Sequence, residues 1–427
     1  MSKLGQSGCV TFSRVEADSA AEGADRQIAR LCEAAWERVP ELTQRLRSAG
    51  HGPGHWPRWE DLPRVSLLRK SSFAALQAAR PPLGGLAPEP YEGGRTLYMS
   101  PGGILEPNLP TAEARLADLL AIAGIRPHDI VLNGFSYHFT PAGPLFHAAL
   151  NRLGAICLPG GPQNADLLIQ FMQRTRASGF VGIGSHLKLL IQQAESAGLG
   201  IGRDLPLRIA LVGAEPDAET IRAALRERYG IHCFDLYGTA DVGLVAGDCG
   251  ARDGLHVHSD VLVEVVDPET GERLPQGQVG ELVLTVNNPE YPMLRYATGD
   301  LCSLMAPSCP CGDVRPRISR IVGRADRSAR VRGMLLYEHE IRQLLTRFPD
   351  VEECRIDLTR QDDRDHVAGV LMVSDGSWND EQREAFVQAF RQTCRLRLDA
   401  LRFTTDPDGF QSGLLRDHRR STTAGQS

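Results

Sequence analysis

Three cysteines and a histidine have the residue types and the local spacing of a metal site. Cys249 lies seven residues before His256, and a single proline separates Cys309 from Cys311 in the turn sequence SCPCG. Three thiolates and one imidazole complete the tetrahedral shell that zinc takes in structural sites. The sequence therefore predicts a closed, structural zinc site, with His258 as an alternative ligand.

A second candidate is the glycine-containing stretch LYMSPGGILEPN, residues 97–108. In an open turn, the backbone N–H groups of Ser100, Gly102 and Gly103 would face an anion, as successive amides do in phosphate-binding loops. The stretch has no threonine and no closing lysine to bind the same phosphate. It has the outline of a phosphate-binding loop without the usual side chains.

Four further motifs place polar groups where apolar runs end or where the pattern changes. They are LVGAEP (211–216), FDLYGTAD (234–241), YPMLRYATGD (291–300) and VGRADRSARVRG (322–333). Ligands of parallel sheets bind beyond the carboxyl ends of the strands. Each motif alone fits an ordinary turn equally well, but the four motifs in this order and with these gaps form a specific pattern.

Hydrophobic periodicity predicts the elements that position these motifs. Residues 15–80 have mainly helical spacing, and from about 110 to 300 short apolar runs alternate with amphipathic stretches. Repeated strand–helix–strand order is typical of a covered, mostly parallel sheet. We predict an α/β fold with a large N-terminal domain, residues 1–324, and a small α+β domain, residues 325–427.

Composition narrows the function classes. The 427 residues carry a net charge of −6, which argues against a nucleic-acid partner. No apolar run reaches the roughly 20 residues of a membrane span, and the N-terminus lacks the order of a secretory signal. Ten scattered cysteines fit reduced thiols or a metal site, so we expect a cytoplasmic protein. Only three of the 47 basic residues are lysines, Lys3, Lys70 and Lys188, which matters wherever chemistry needs a compact ammonium.

The four motifs, together with WEDLPRVSLLRKSSF (59–73), GAICLPGGPQN (154–164) and CPCGDVRPRISRIVGR (309–324), resemble the phenylacetate–CoA ligase family of the adenylate-forming superfamily. The resemblance covers nearly the whole chain. It implies that ATP activates a carboxylic acid to an acyl-AMP. It also implies that a mobile C-terminal domain then rotates and that the acyl group passes to the thiol of CoA.

The resemblance also implies roles for individual residues, and some family members carry a structural zinc at the cysteine cluster. An acyl pocket would be lined by Tyr137, Phe139, Gly160 and Gly161, although core packing explains the two aromatic residues equally well. The nucleotide and CoA site would be lined by Gly213, Ala214, Glu215, Pro216, Asp235, Tyr237, Gly238, Asp300, Arg324, Arg332 and Gly333.

Three departures from the family pattern fall on the ATP half-reaction. The family's phosphate loop ends in Lys-Pro, whereas here Glu106 precedes the proline and adds negative charge where polyphosphate would sit. The family's Thr-Glu pair is Ala-Asp here, and Asp241 retains a carboxylate able to hold Mg²⁺. The adenylation lysine is missing, because residues 189–427 contain none and Leu414 or Leu415 stands in its place.

These departures predict an acyltransferase that needs neither ATP nor Mg²⁺. It would move an acyl or aryl group from its CoA thioester to a second thiol, with the phosphopantetheine of an acyl carrier protein as the expected acceptor. Asp241 and His138 are the catalytic candidates; His138 would assist proton transfer at the thiol, unless it is only packed or solvated. The alternatives are an AMP-forming aryl- or acyl-CoA ligase and a non-catalytic relative that binds CoA thioesters or a partner protein. We expect a monomer or a homodimer.

Overall fold

The computed structural model describes residues 14–91, 96–100, 103–213, 218–251, 253–306, 308–331, 334–361, 364–373, 378–405, 410 and 414–420. The chain divides into two compact units. The first takes the chain up to Thr298 together with Ser303–Arg320, and the second takes Gly299–Cys302 and the chain from Ile321 onward. Within the described ranges, no helix is both long enough and apolar enough to cross a membrane.

Helices occur in both units. They are α1 (Arg14–Ala35), α2 (Pro40–Ser48), α3 (Phe73–Ala79), α4 (Pro110–Ala123), α5 (Ala142–Leu153), α6 (Ala165–Thr175), α7 (Gly184–Ser196), α8 (Ala218–Tyr229), α9 (Glu338–Leu345) and α10 (Asp380–Cys394).

The strands are short, except in the second half of the chain. They are β1 (Leu68–Arg69), β2 (Leu97–Met99), β3 (Leu105–Pro107), β4 (Ile130–Asn133), β5 (Ile156–Pro159), β6 (Gly179–Ile183), β7 (Ile209–Gly213), β8 (His232–Phe234), β9 (Leu236–Thr239), β10 (Gly243–Gly247), β11 (Leu255–Val257), β12 (Val261–Val266), β13 (Val279–Val286), β14 (Met293–Ser303), β15 (Arg317–Ile318), β16 (Gly323–Arg324), β17 (Ser328–Val331), β18 (Met334–Tyr337), β19 (Val351–Gln361), β20 (Arg364–Val373), β21 (Ala400–Phe403) and β22 (Leu415–Asp417).

A five-stranded sheet in the order β5-β4-β6-β7-β8 is the centre of the first unit. All of its neighbouring strands run parallel, which confirms the predicted strand–helix alternation. Its core is a continuous apolar cluster that includes Phe180, Leu187 and Ile191, each almost fully buried. Because the strands are parallel, their carboxyl ends meet at one edge, where the segments after β4 and β5 begin.

The other sheets of the first unit are mostly antiparallel. Strand β14 lies between β1 and β13, with β12 beyond, and a four-stranded sheet has the order β15-β11-β10-β9. Only the pair β1–β14 runs parallel among the registers found there. The prediction of mostly parallel pairing thus applies to the central sheet, since a connection as short as the one between β9 and β10 allows only antiparallel pairing.

Residues 15–80 are mainly helical, as predicted, but the helical stretch is interrupted between α1 and α2. The chain bends at Glu37, which has a left-handed φ of 59°, and α2 restarts with Pro40 in its first turn. Proline suits that position because its missing N–H has no helical partner there. Strand β1 and two short 3₁₀ turns then interrupt the helical pattern before α3.

The second unit is a small α+β structure, as predicted. Its sheet has the order β21-β20-β19-β22, in which the long hairpin of β19 and β20 is antiparallel. Helix α10 covers the sheet with Phe386, Phe390 and Cys394, which follow at four-residue spacing and are all fully buried. That spacing places three side chains on one helix face, so the predicted apolar face of this helix is confirmed.

Candidate functional site

The stretch with the outline of a phosphate loop is a β-hairpin. Strands β2 and β3 pair antiparallel, with Tyr98 opposite Glu106. The Ser100 N–H donates to the Ile104 carbonyl, and the Gly103 N–H donates to the Ser100 carbonyl, both at 2.9 Å. The expectation that these two amides face an anion is therefore wrong, because the turn itself uses both N–H groups. Gly102 lies outside the described residues.

Glu106 is a buried carboxyl group at the end of this hairpin. Its side chain is 0% exposed, and neither oxygen has a hydrogen-bond partner among the described residues. Burial, with a smaller contribution from the nearby charge of Asp241, raises the pKa of Glu106 to about 7, and the positive charge of Lys70 opposes this rise. Glu106 is therefore a buried carboxyl group that accepts its proton near neutral pH.

Asp241 follows β9 and is also fully buried. Its Oδ2 accepts a hydrogen bond from the Lys70 ammonium at 2.7 Å and one from the Tyr296 hydroxyl at 2.6 Å. Its Oδ1 has no partner among the described residues. The pairing with Lys70 was not predicted, although Lys70 is one of only three lysines in the sequence.

The predicted acyl-pocket residues lie after β4 and β5, and the structure brings most of them together. The ideal Cβ position of Gly161, which has φ +60°, is 3.9 Å from the Tyr137 ring. A Cβ on Gly160 would meet Leu132 at 2.6 Å, so this position has no room for a side chain. Phe139 is 70% exposed and does not pack beside them. The Phe139 side chain lies in solvent, not in the core.

The predicted catalytic histidine is exposed, and a different histidine reaches the acyl segment. His138 is exposed, and its hydrogen bonds among the described residues are made by its backbone: the N–H donates to Ser136 Oγ at 3.1 Å, and the carbonyl accepts from the Thr140 N–H at 2.8 Å. His147 on α5 instead places Nδ1 3.2 Å from the Tyr137 hydroxyl. The ten-residue separation crosses from a loop to a helix, so no periodicity in the sequence pointed to this contact.

The predicted nucleotide residues of the first unit lie at the ends of β7 and β8. The ideal Cβ position of Gly213 is 3.6 Å from Asp235 Oδ1, so the two residues are adjacent. Asp235 forms ion pairs with Arg222 and Arg320, which hold its carboxylate in place. Tyr237 is buried, and a Cβ on Gly238 would collide with β10. Three further predicted residues lie outside the described part of the chain: Ala214, Glu215 and Pro216.

Two predicted nucleotide residues meet in the second unit. Asp300 pairs with Arg324 across β14 and β16, and the guanidinium Nη1 donates to Asp300 Oδ1 at 2.7 Å. A Cβ on Gly299 would come within 2.5 Å of that guanidinium, so glycine permits the close approach. Arg332 and Gly333, which were also predicted here, lie outside the described residues.

The segment where the family has its adenylation lysine is a short strand. Strand β22 pairs in parallel with β19, and the Leu414 N–H donates to Glu338 Oε1 at 3.2 Å. The Arg419 guanidinium forms ion pairs with Asp417 and Asp365, each at 2.8 Å. A cation held by two carboxylates is a poor substitute for a mobile ammonium.

The four predicted metal ligands form one cluster. The candidate ligand atoms of Cys249, His256, Cys309 and Cys311 all lie within 4.8 Å of one another. Cys249 Sγ is 3.7 Å from Cys309 Sγ, and Cys311 Sγ is 3.4 Å from His256 Nε2. In a tetrahedral zinc site, bonds of about 2.3 Å to sulfur and 2.0–2.1 Å to nitrogen place two sulfur ligands roughly 3.8 Å apart. A sulfur and a nitrogen ligand are then roughly 3.5 Å apart. These distances fit zinc.

The surroundings of the cluster agree with that fit. His256 is buried, and Asp313 Oδ1 lies 3.8 Å from its second ring nitrogen, Nδ1, which is close enough for a charge interaction but too far for a hydrogen bond. The alternative ligand His258 points elsewhere, with Nε2 3.4 Å from Asp118. The chain's own residues therefore supply four ligands and leave no open position.

The fold defines the class of protein. The structure matches 2-hydroxyisobutyryl-CoA ligase with a TM-score of 0.83 at 24% identity, over 94% of this chain and 92% of that one. The family model for AMP-binding enzymes matches residues 111–289. The protein therefore has the fold of adenylate-forming enzymes.

Sequence comparison narrows the class to a family. The chain is 31% identical to a phenylacetate–coenzyme A ligase of Thermus thermophilus over 340 residues, which is 77% of this chain and 75% of that protein. It is 29% identical to the enzyme of the same name from Pseudomonas putida over 334 residues, 75% of this chain and 74% of that protein. The chain belongs to the phenylacetate–CoA ligase family of the adenylate-forming superfamily.

Proposed function

We propose that this family member is an acyltransferase that works without ATP. It would move an acyl or aryl group from its CoA thioester to the phosphopantetheine thiol of an acyl carrier protein. The observation that carries the proposal is the fully buried Glu106 beside Asp241, at the loop position where the family has a lysine. In its ionised form Glu106 repels a polyphosphate chain, by about 1 kcal/mol per charge pair at 4 Å in water and about 4 kcal/mol at a protein surface, and in its protonated form it lacks the positive charge that a lysine would supply.

Two further features support the loss of the ATP step. The hairpin turn uses the Ser100 and Gly103 amides internally, and Lys70 is bound to Asp241, the carboxylate that would hold Mg²⁺. In the proposed reaction the acceptor sulfur attacks the thioester carbonyl carbon and forms a new C–S bond. The C–S bond to CoA then breaks, and the proton of the acceptor thiol ends on the CoA thiolate.

The second candidate is an AMP-forming aryl- or acyl-CoA ligase, and the comparisons favour it. The relatives described above are named as ligases of phenylacetate and coenzyme A. The first unit keeps Gly213 beside Asp235, and the second unit keeps the Asp300–Arg324 ion pair. The family resemblance implies nucleotide binding for these residues. In this reading Lys70 would leave Asp241 for the phosphates when ATP and Mg²⁺ bind.

Two assays on one purified sample separate the candidates. We expect a holo carrier protein to gain the acyl mass from an aryl-CoA without ATP, whereas the apo carrier, which lacks the thiol, gains none. We expect no pyrophosphate release with ATP, Mg²⁺ and benzoate, anthranilate or phenylacetate. Acid-dependent pyrophosphate release without carrier acylation would establish the ligase. Failure of both reactions, with CoA thioesters still bound, would favour the non-catalytic relative.

We also propose that the cluster of three cysteines and His256 binds one structural zinc ion. Four protein ligands complete the tetrahedral shell, so the ion would stabilise the fold and would have no open position for substrate. The cytoplasmic location, the carrier-protein partner, the monomeric or homodimeric state and the domain boundary after residue 324 stay predictions of the sequence.

A further inference from the structure

Four polar side chains from β4, β5, α5 and the loop after β4 lie close together, and the bond-making steps of the proposed reaction do not use them. Asn133 ends β4, Tyr137 lies in the following loop, His147 lies on α5 and Cys157 lies in β5. The Tyr137 hydroxyl is 2.9 Å from Asn133 Nδ2, 3.2 Å from His147 Nδ1 and 3.7 Å from Cys157 Sγ. We call these four residues the tyrosine cluster.

We propose that the tyrosine cluster selects acyl groups that carry a neutral hydrogen-bonding substituent, namely an amino or hydroxyl group on an aryl ring. The inference rests on the proposed function, because the family resemblance places the acyl group beside Tyr137. It adds a substrate class that the names of the relatives do not suggest, since a phenylacetyl ring has no such substituent.

The hydrogen-bond directions around Tyr137 follow from Asn133. Asn133 Oδ1 accepts from the Phe135 N–H at 3.1 Å, so its amide nitrogen must be the group that faces Tyr137 and the Gly143 carbonyl. The Tyr137 oxygen is therefore an acceptor towards Asn133. Its own hydrogen is left for either His147 Nδ1 or Cys157 Sγ, because a phenol has a single donor.

These two possible donors decide whether the other ring nitrogen of His147, Nε2, carries a hydrogen. If Tyr137 donates to Nδ1, then Nε2 carries the hydrogen and is a donor; if Nδ1 donates to Tyr137, then Nε2 is an acceptor. Nε2 has no partner among the described residues. An amino or hydroxyl group can both donate and accept, so it can pair with either tautomer.

The cluster is accessible and contains no carboxylate, lysine or arginine. Tyr137, His147 and Cys157 are all half-buried. Asn133 is fully buried and donates a hydrogen bond to the Tyr137 hydroxyl. The partners of the Tyr137 hydroxyl are an amide, an imidazole and a thiol. A neutral substituent suits these groups better than an ionised one.

An unsubstituted ring would bind at a cost. A ring that covers His147 Nε2 would exclude solvent from this nitrogen without offering a hydrogen bond in return. A buried polar group without a hydrogen-bond partner is unfavourable. Sites built to pair with a substrate hydroxyl or amine therefore discriminate strongly against the analogue that lacks it. The cluster would thus disfavour purely apolar acyl groups.

The test measures kcat/KM for transfer from benzoyl-, methylbenzoyl-, aminobenzoyl- and hydroxybenzoyl-CoA to a holo carrier protein, with the ortho, meta and para isomers. We expect at least one amino or hydroxy isomer to exceed the methyl analogue of the same size by about tenfold or more. His147→Leu should abolish that ratio, and His147→Gln, which still forms hydrogen bonds, should restore part of it. His128→Asn is the matched control, because His128 is exposed near the start of β4 and its φ of 70° suits asparagine.

Calorimetric binding of the same thioesters is measured alongside, so that the outcomes separate. If transfer is absent but binding follows the substituent, the proposed function fails and the selectivity stands. If transfer occurs with no preference for an amino or hydroxyl substituent, the proposed selectivity is overturned and the proposed function stands. The same holds if His147→Leu lowers kcat/KM equally for all substrates. Absence of both transfer and binding overturns both.

Discussion

Substitution of Cys309 by serine is expected to remove bound zinc from the protein and to lower its unfolding free energy by more than about 4 kcal/mol. The wild-type protein should carry about one zinc ion per chain. Cys309 is only partly buried, so little of this loss can come from packing. The ion would instead join Cys249 after β10, His256 in β11 and the turn before β15. Elemental analysis and urea unfolding of both proteins test the prediction.

Cys354→Ser is the matched control for this experiment. It makes the same chemical change at a buried cysteine of the second unit, outside the cluster. It should cost some stability through the buried hydroxyl while leaving the zinc content unchanged. A wild-type protein without zinc, or a Cys309→Ser protein that retains a full equivalent, would contradict the assignment of the cluster.

Glu106→Gln is expected to remove a pH-dependent loss of stability. The pKa of Glu106 is raised from 4.5 to about 7 in the folded chain, mainly by burial. Below pH 4.5 both states hold the proton. As the pH rises towards 7 the unfolded chain loses it first, so stability falls and then levels off. The difference in pKa corresponds to about 3 kcal/mol. Because glutamine resembles the protonated acid and cannot ionise, the variant should be more stable at pH 8 by up to this amount.

The measurement compares urea unfolding of wild type and variant at pH 5 and pH 8. The wild-type protein should lose more stability than Glu106→Gln between the two values. Burial raises the pKa of Asp248 to about 6, which gives a slope of the same sign, so only the difference between the proteins reports on Glu106. Glu227→Gln on the exposed face of α8 should follow the wild type. Equal pH dependence in Glu106→Gln and wild type would show that Glu106 is not a buried acid.

The sequence by itself determined the elements and the family. The alternation of apolar runs and amphipathic stretches is local, because side-chain direction repeats every two residues in strands and every 3.6 in helices. It predicted the parallel sheet and the buried face of α10. The spacing of Cys309 and Cys311 predicted a metal-binding turn for the same reason, since two ligands so close in sequence must be close in space.

Only the tertiary structure decided which side chains meet. Lys70 reaches Asp241 across 171 residues, and no periodicity encodes a contact between two distant segments. The choice of His256 over His258 depends on where β11 ends. His256 lies within the strand, opposite Arg317 of β15, whereas His258 follows the strand and lies near Asp118. The N–H groups of Ser100 and Gly103 were predicted to face an anion, but in the structure they donate hydrogen bonds to carbonyls of the hairpin turn. Hydrogen-bond partners depend on strand pairing and packing, and these are properties of the whole chain.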